Sequence, residues 1–143
     1  MNKFFIWLFI KSIVPKLKVK FTDEGSSFEQ STNTLYLTFN EENFGFMRHL
    51  KKVHGVQGAD SFDVMIWTIL HEIGHYFTID YCTEDETITR IMCSLMDKET
   101  VQQSEDIQDM YFNLESEWEA TEWAIDYIIK HQAKCEIFNI LIK

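Results

Sequence analysis

Proline occurs once in this chain of 143 residues and glycine five times. That leaves nothing from which to build a flexible linker or a low-complexity tract. No internal repeat or composition break interrupts the chain, so a single domain spanning residues 1–143 is expected. Cysteine is scarce and odd in number: Cys82, Cys93 and Cys135, with no CxxC spacing. Reduced thiols are therefore expected, rather than a disulfide framework or a thiolate metal site. Basic residues are few, 13 against 23 acidic, for a net charge of −10. Such a chain lacks the clustered Lys and Arg that phosphate contacts need, which argues against direct nucleic-acid binding and favours neutral or basic partners. A membrane-length apolar run is missing too. The N-terminal run Phe4–Ile10, inside "MNKFFIWLFIKSIVPK", falls short of the ~20 residues that cross a bilayer. Lys11 interrupts it and no small-residue cleavage pattern follows. It reads as a core-packing helix ending near Pro15, with a membrane-surface anchor as the lesser alternative. The expected compartment is the cytoplasm.

The chain is 45% hydrophobic and 15% aromatic, enough to build a core. "KLKVKF", Lys16 to Phe21, alternates strictly, with Leu17, Val19 and Phe21 on one face. "TLYLTF", Thr34 to Phe39, repeats the pattern. These read as half-buried strands, with a third over residues 26 to 30 and Asn33 in a turn. A small antiparallel meander is expected. After Asn40, a candidate helix cap, the period becomes helical: Phe44, Met47, Leu50 and Val53 recur before Gly55. His49 and His54, beside Lys51 and Lys52, read as a solvated basic face. Asp60 or Ser61 should open the next helix. "TEDE", Thr83 to Glu86, is a capping-box pattern ahead of Ile88, Ile91, Met92 and Leu95. One or two further helices follow from about Asp109. Strands first and helices after predict an α+β fold.

Within the central helix lies "ILHEIGHYF", residues 69 to 77. Two histidines and a glutamate in an apolar run need compensation, because a buried unpaired polar group costs about 1–3 kcal/mol. At about 100° per residue, His75 falls about 40° and Glu72 about 100° from His71. Ile66, Ile69, Ile73 and Phe77 lie broadly opposite, facing a core. Gly74 removes a side chain beside the histidines and lets another segment approach. Two imidazoles one turn apart can bind one zinc ion, and Glu72, angled away, is placed to hold and deprotonate a water there.

A third ligand is suggested by "NLESEWEATEWAIDYIIKHQ", Asn113 to Gln132. On a helical wheel Glu115, Glu119, Glu122, Asp126 and Lys130 form one solvent-facing stripe. Glu117 stands alone in the middle of the opposite face, among Ala120, Ala124, Tyr127 and Ile128. A cation held by His71 and His75 would remove the cost of burying that carboxylate; a buried Arg or Lys is the alternative partner. Ala120 and Ala124 would allow close packing on the histidine helix, and Thr121, one turn on, could hydrogen-bond a ligand.

"HEIGH" followed by "EWEATEWA" resembles the gluzincin metallopeptidases, and most of all the small ImmA/IrrE-type zinc metallopeptidase domain. That family pairs HExxH with a helix of the form E-x-x-A-(Asn or Asp)-x-(aromatic)-A, matched here by Glu117, Ala120, Trp123 and Ala124. Thr121 stands where the family has Asn or Asp, and "YIIKHQ" replaces its usual Leu-Leu-Met-Pro ending. No helix-turn-helix module is expected within these residues. The resemblance spans roughly residues 30 to 131. It implies a minimal zincin-like domain, a small antiparallel sheet on an HExxH helix and a Glu-bearing helix. His71, His75 and Glu117 would hold Zn2+, and Glu72 would act as general base. The implied function is a zinc-dependent endopeptidase acting on a protein substrate, such as a regulatory protein, that lies extended against a sheet edge near residues 35 to 39. The alternative is a catalytically silent zinc domain that acts by binding a partner. Tyr76, Tyr81, Tyr111 and His131 are the candidate oxyanion donors. Trp118 and Trp123 are expected in the core.

Overall fold

A computed structural model describes residues 1–39, 44–78, 84–97, 100–101 and 104–143. Asn40 as a cap, Thr83 of the capping box, Tyr81, Cys82 and the Phe44 side chain lie outside the described set. The described elements run α1 (Lys3–Ile13), β1 (Lys18–Phe21), β2 (Ser27–Glu29), β3 (Thr34–Leu37), α2 (Phe44–Lys52) and a 3-10 turn (Ala59–Ser61). Then come α3 (Val64–Phe77), α4 (Glu84–Leu95), α5 (Glu105–Phe112), α6 (Glu115–Lys130) and α7 (Gln132–Leu141). This is an α+β arrangement, mostly helical.

The sheet corrects the expected antiparallel meander. Its order is β1-β3-β2, with β1 parallel to β3 and β2 antiparallel to it. Burial explains the order: Thr34, Leu35 and Leu37 of β3 are buried, whereas Lys18 and Lys20 of β1 and Ser27 and Glu29 of β2 are exposed. The most buried strand takes the centre, where neighbours on both sides satisfy its backbone. The lysine-bearing strand takes an edge, where charge blunts pairing with other chains. Asn33 turns the chain between β2 and β3 at φ 50°, as its placement in the sequence suggested.

The central helix also begins later than expected. Asp60 and Ser61 belong to the 3-10 turn, Phe62 is extended, and Asp63 caps α3 by accepting from the Met65 N–H at 2.9 Å. Ile66, Ile69, Leu70 and Ile73 of α3 are buried in one cluster with Ile6, Phe9 and Ile10 of α1, Leu35 and Leu37 of β3, Phe46 and Leu50 of α2, and Ala124 and Ile128 of α6. Trp67 joins them and donates its indole N–H to the Ala59 carbonyl at 2.9 Å.

Two helices depart, one in part and one wholly, from the face their periodicity suggested. In α2, Leu50 is buried and Met47 packs against the core as expected, but Phe46 and His49 are buried too, and Val53, just past the helix, is exposed. The His49 and His54 rings lie inside, not on a solvated basic face, with His54 against Trp118 at 4.0 Å between centroids. What holds α2 in this rotation is Arg48, whose Nη2 donates to Asp109 Oδ1 at 2.9 Å and Nη1 to Oδ2 at 3.3 Å. In α4, Ile88, Ile91, Met92 and Leu95 point outward, and Glu86 and Arg90 point in.

Burial, reinforced by repulsion from His54 and only partly opposed by Asp109, lowers the His49 pKa below the ordinary histidine value. Its Nδ1 stands 3.6 Å from Asp109 Oδ1, beyond hydrogen-bond reach. The unfolded chain therefore takes up a proton at this residue near its ordinary pKa of ~6.5, while the folded chain resists. Stability from this source is complete above that value and is lost as pH falls toward the lowered folded pKa. Urea midpoints of metal-free protein at neutral and mildly acidic pH check this. Wild type should lose stability on acidification, and His49→Gln should lose less.

Candidate metal site

Among the described residues the most extensive helix contact is between α3 and α6, and Gly74 is what permits it. A Cβ at Gly74 would meet the Ala120 carbonyl oxygen at 2.5 Å and Ala120 Cα at 2.9 Å. At that separation the inward faces of the two helices meet in one buried group. His71 Nε2 lies 2.7 Å and His75 Nε2 3.0 Å from the same atom, Glu117 Oε2. All three side chains are buried, Glu117 to 2% exposure. The described residues contain one cluster of three or more possible metal ligands, these three, with ligand atoms within 4.8 Å of one another.

Hydrogen atoms decide what this convergence means. Thr121 O–H donates to the Glu117 carbonyl at 2.9 Å, so its oxygen accepts from His71 Nδ1–H at 3.1 Å. That leaves the Nε2 lone pair of a neutral His71 facing a carboxylate lone pair. Such an approach is repulsive unless a cation lies between them, either a proton on the ring or a metal ion. Thr121 thus orients the His71 ring.

The donor set suits a metal. Zinc bonds to nitrogen and carboxylate oxygen are ~2.0–2.2 Å, which in a tetrahedron puts ligand atoms roughly 3.4 Å apart. The Nε2–Oε2 separations of 2.7 and 3.0 Å would widen by roughly 0.4–0.7 Å to match. The His71, His75 and Glu117 group can therefore hold a metal ion.

The alternative partner considered for Glu117, a buried Arg or Lys, is present beside the histidines, at a residue the sequence did not single out. Arg90 of α4 donates from Nη1 to Glu117 Oε1 at 3.0 Å and from Nη2 to Ser116 Oγ at 2.5 Å. The carboxylate is thus divided: Oε2 toward the imidazoles, Oε1 toward the guanidinium. Arg90 is one of two arginines in the chain, and that rarity was the available signal. Glu86, one turn earlier, accepts from the Ser116 N–H at 3.1 Å, serving a helix start that has no side-chain cap of its own. Burial alone would raise the Glu117 carboxyl pKa; hydrogen bonds and charge from His71 and His75 outweigh it and hold the group well below the ordinary carboxylate range.

Of the proposed oxyanion donors, Tyr111 comes to the site. Arg90 Nη1 donates to its oxygen at 3.3 Å. Burial first, then the neighbouring Glu117 charge, pushes its pKa well above the ordinary value, so it stays a phenol. Glu72 is close enough that its charge adds to that shift. Tyr76 is exposed and edge-on to Phe28, at 6.0 Å between centroids. His131 sits at the break between α6 and α7, against Tyr127 at 4.2 Å. Trp118 and Trp123 are half-buried, Trp123 stacking on Phe77 at 5.0 Å. Phe46 covers the His71 ring edge-on at 4.9 Å. Cys135 is buried and its thiol is pushed up to about 11 by that burial, so it is unreactive at neutral pH.

Removing Arg90 should matter at a distance. Arg90→Gln leaves Oε1 and Ser116 without the guanidinium and frees the carboxylate to rotate. Metal affinity is expected to fall about 10–100-fold, measured by competition with a chromogenic chelator.

Comparisons with family models, curated proteins and solved structures gave no match.

Proposed function

We propose that this chain is a zinc-dependent endopeptidase of the gluzincin kind, with an ImmA/IrrE-like site, acting on an extended segment of a protein substrate. The observation that carries the reading is the approach of two imidazole nitrogens, 2.7 and 3.0 Å away, to one buried carboxylate oxygen. His71, His75 and Glu117 would hold the ion. When bound, zinc supplies Lewis acidity, which activates water near neutral pH and polarises a carbonyl.

The remaining work belongs to the chain. Glu72 is half-buried on α3, one residue from His71. It takes the proton from the attacking water and returns it to the leaving nitrogen. Thr121 fixes the ring orientation of His71, and Arg90 with Tyr111 fixes that of Glu117. Phe46 keeps water from one side of the His71 ring.

The substrate edge is not at residues 35 to 39, since β3 is central and paired on both sides. The outer strand beside α3 is β2, where Phe28 touches Tyr76. An extended peptide adding to β2 would pass along α3 and bring its backbone toward the site. The acidic surface favours a substrate with a basic face.

The test uses zinc-loaded wild type and Glu72→Gln incubated in parallel with cell lysate, followed by sequencing of new peptide termini. Termini that appear with wild type alone, and vanish with chelator, support the reading. Identical termini from both proteins contradict it and favour a domain that binds without cleaving.

A further inference from the structure

Charge is unevenly distributed along this chain. Residues 1–22 hold five lysines and no acidic residue, while the remainder hold eight basic residues against 23 acidic. The basic stretch folds into α1 and β1. The inner side of α1 joins the core as expected, through Ile6, Phe9 and Ile10, but its outer side is apolar as well: Phe4 is 59% exposed and Trp7 42%.

Helix α7 extends that surface. It lies antiparallel to α1: Asn2 N–H donates to the Ile142 carbonyl at 3.1 Å, and Phe9 meets Phe138 further along at 5.0 Å between centroids. For two antiparallel helices seated on one core, a rotation of about 100° per residue turns Phe4 and Leu8 of α1 and Ile137 and Leu141 of α7 to the same outer side. Ile137 and Ile140 are exposed, Ile140 to 72%. Two neighbouring helices thus share one outward apolar surface. Lys3 is exposed on α1, whereas the half-buried Lys11 holds its ammonium 5.9 Å from the Trp7 ring centre and donates to the Pro15 and Leu17 carbonyls. Lys16, Lys18 and Lys20 follow at once and are exposed. Glu136 is the acidic exception on the two helices.

We propose that α1 and α7 dock this surface onto an anionic phospholipid membrane. Phe4, Trp7 and Leu8 would enter the acyl boundary and the lysines would meet the headgroups. The charge pattern selects this occupant. A two-fold contact with a second copy would set one lysine-rich face against another. An anionic surface attracts residues 1–22 and repels the acidic remainder, which fixes the orientation. Trp and Phe belong at such interfaces, and apolar anchoring combined with a polybasic segment gives the two signals that stable attachment requires. No described helix is long and apolar enough to cross a membrane, so the contact is with the surface.

The test is sedimentation of the full chain with phosphatidylcholine vesicles and with vesicles enriched in phosphatidylglycerol. Binding to the second, weakened by salt, is expected. Phe4→Ser with Trp7→Ser should lower it at least about tenfold, and Lys3→Gln or Lys16→Gln about fivefold each. Unchanged circular dichroism and zinc stoichiometry in the variants would show that the fold survives. Binding indifferent to lipid charge, or no binding by folded wild type, overturns the proposal. So does a lipid-free dimer that the Phe4 and Trp7 substitutions convert to monomer.

Discussion

Glu72→Gln is expected to lower hydrolysis of a defined peptide substrate by about 10²–10⁴-fold, the usual worth of a positioned general base. The change preserves size and shape and removes only the capacity to accept a proton. Glu72 is not among the three converging side chains, so zinc should still bind at one ion per chain. The loss should appear in kcat with little change in KM, because the interaction exists only once the proton moves. A steady-state comparison with matched metal content is the check. A variant that retains wild-type kcat would remove Glu72 from the mechanism.

The second large effect is expected far from any proton transfer. Gly74→Ala should destabilise the chain, although alanine is the better helix former by roughly 1 kcal/mol. The added Cβ would lie 2.5 Å from Ala120 O and 2.9 Å from Ala120 Cα. Both are backbone atoms of a helix and cannot swing aside, so α3 and α6 must separate. Overpacking of this kind costs about 1–3 kcal/mol and at times more, which exceeds the propensity gain. A net loss of about 1–2 kcal/mol corresponds to a Tm lower by roughly 3–10 °C for a chain of this size. The same separation pulls Glu117 from the histidines, so metal affinity should fall with Tm. Thermal unfolding and metal titration of the variant measure both. An unchanged Tm would mean that the two helices are not held at this distance.

The candidate site was legible because its parts obey one local rule. A single helical period placed His71 and His75 together, and the same period left Glu117 alone on an apolar face. Gly74 and Ala120 announced the close approach that joins them. Thr121 was legible as a ligand's partner by the same wheel. Arg90 was not, because its role depends on how α4 is rotated. The stripe Ile88, Ile91, Met92 and Leu95 suggests an inward apolar face, yet buried Glu86 and Arg90 hold the other side against α6. A helix follows the interactions that satisfy buried charge when those conflict with a modest apolar stripe. His49 shows the same limit: adjacent lysines imply solvent, but the Arg48–Asp109 pair turns α2 so that the imidazole goes inside. Strand positions were readable from alternation. Sheet order was not, since alternation says which face of a strand is buried and nothing of which strand lies between the others. Residues 35 to 37, expected at an edge, therefore lie in the central strand, and the edges are β1 and β2.

The central claim is that two imidazoles and one carboxylate from separate helices share a single cation. A crystal structure of the protein grown with zinc, with anomalous scattering recorded at the zinc edge, tests it most directly. The account predicts one peak at ~2.0–2.2 Å from His71 Nε2, His75 Nε2 and Glu117 Oε2 together. Density showing no ion between the rings, or Glu117 drawn away to Arg90 with an ion bound by the histidines alone, would contradict it.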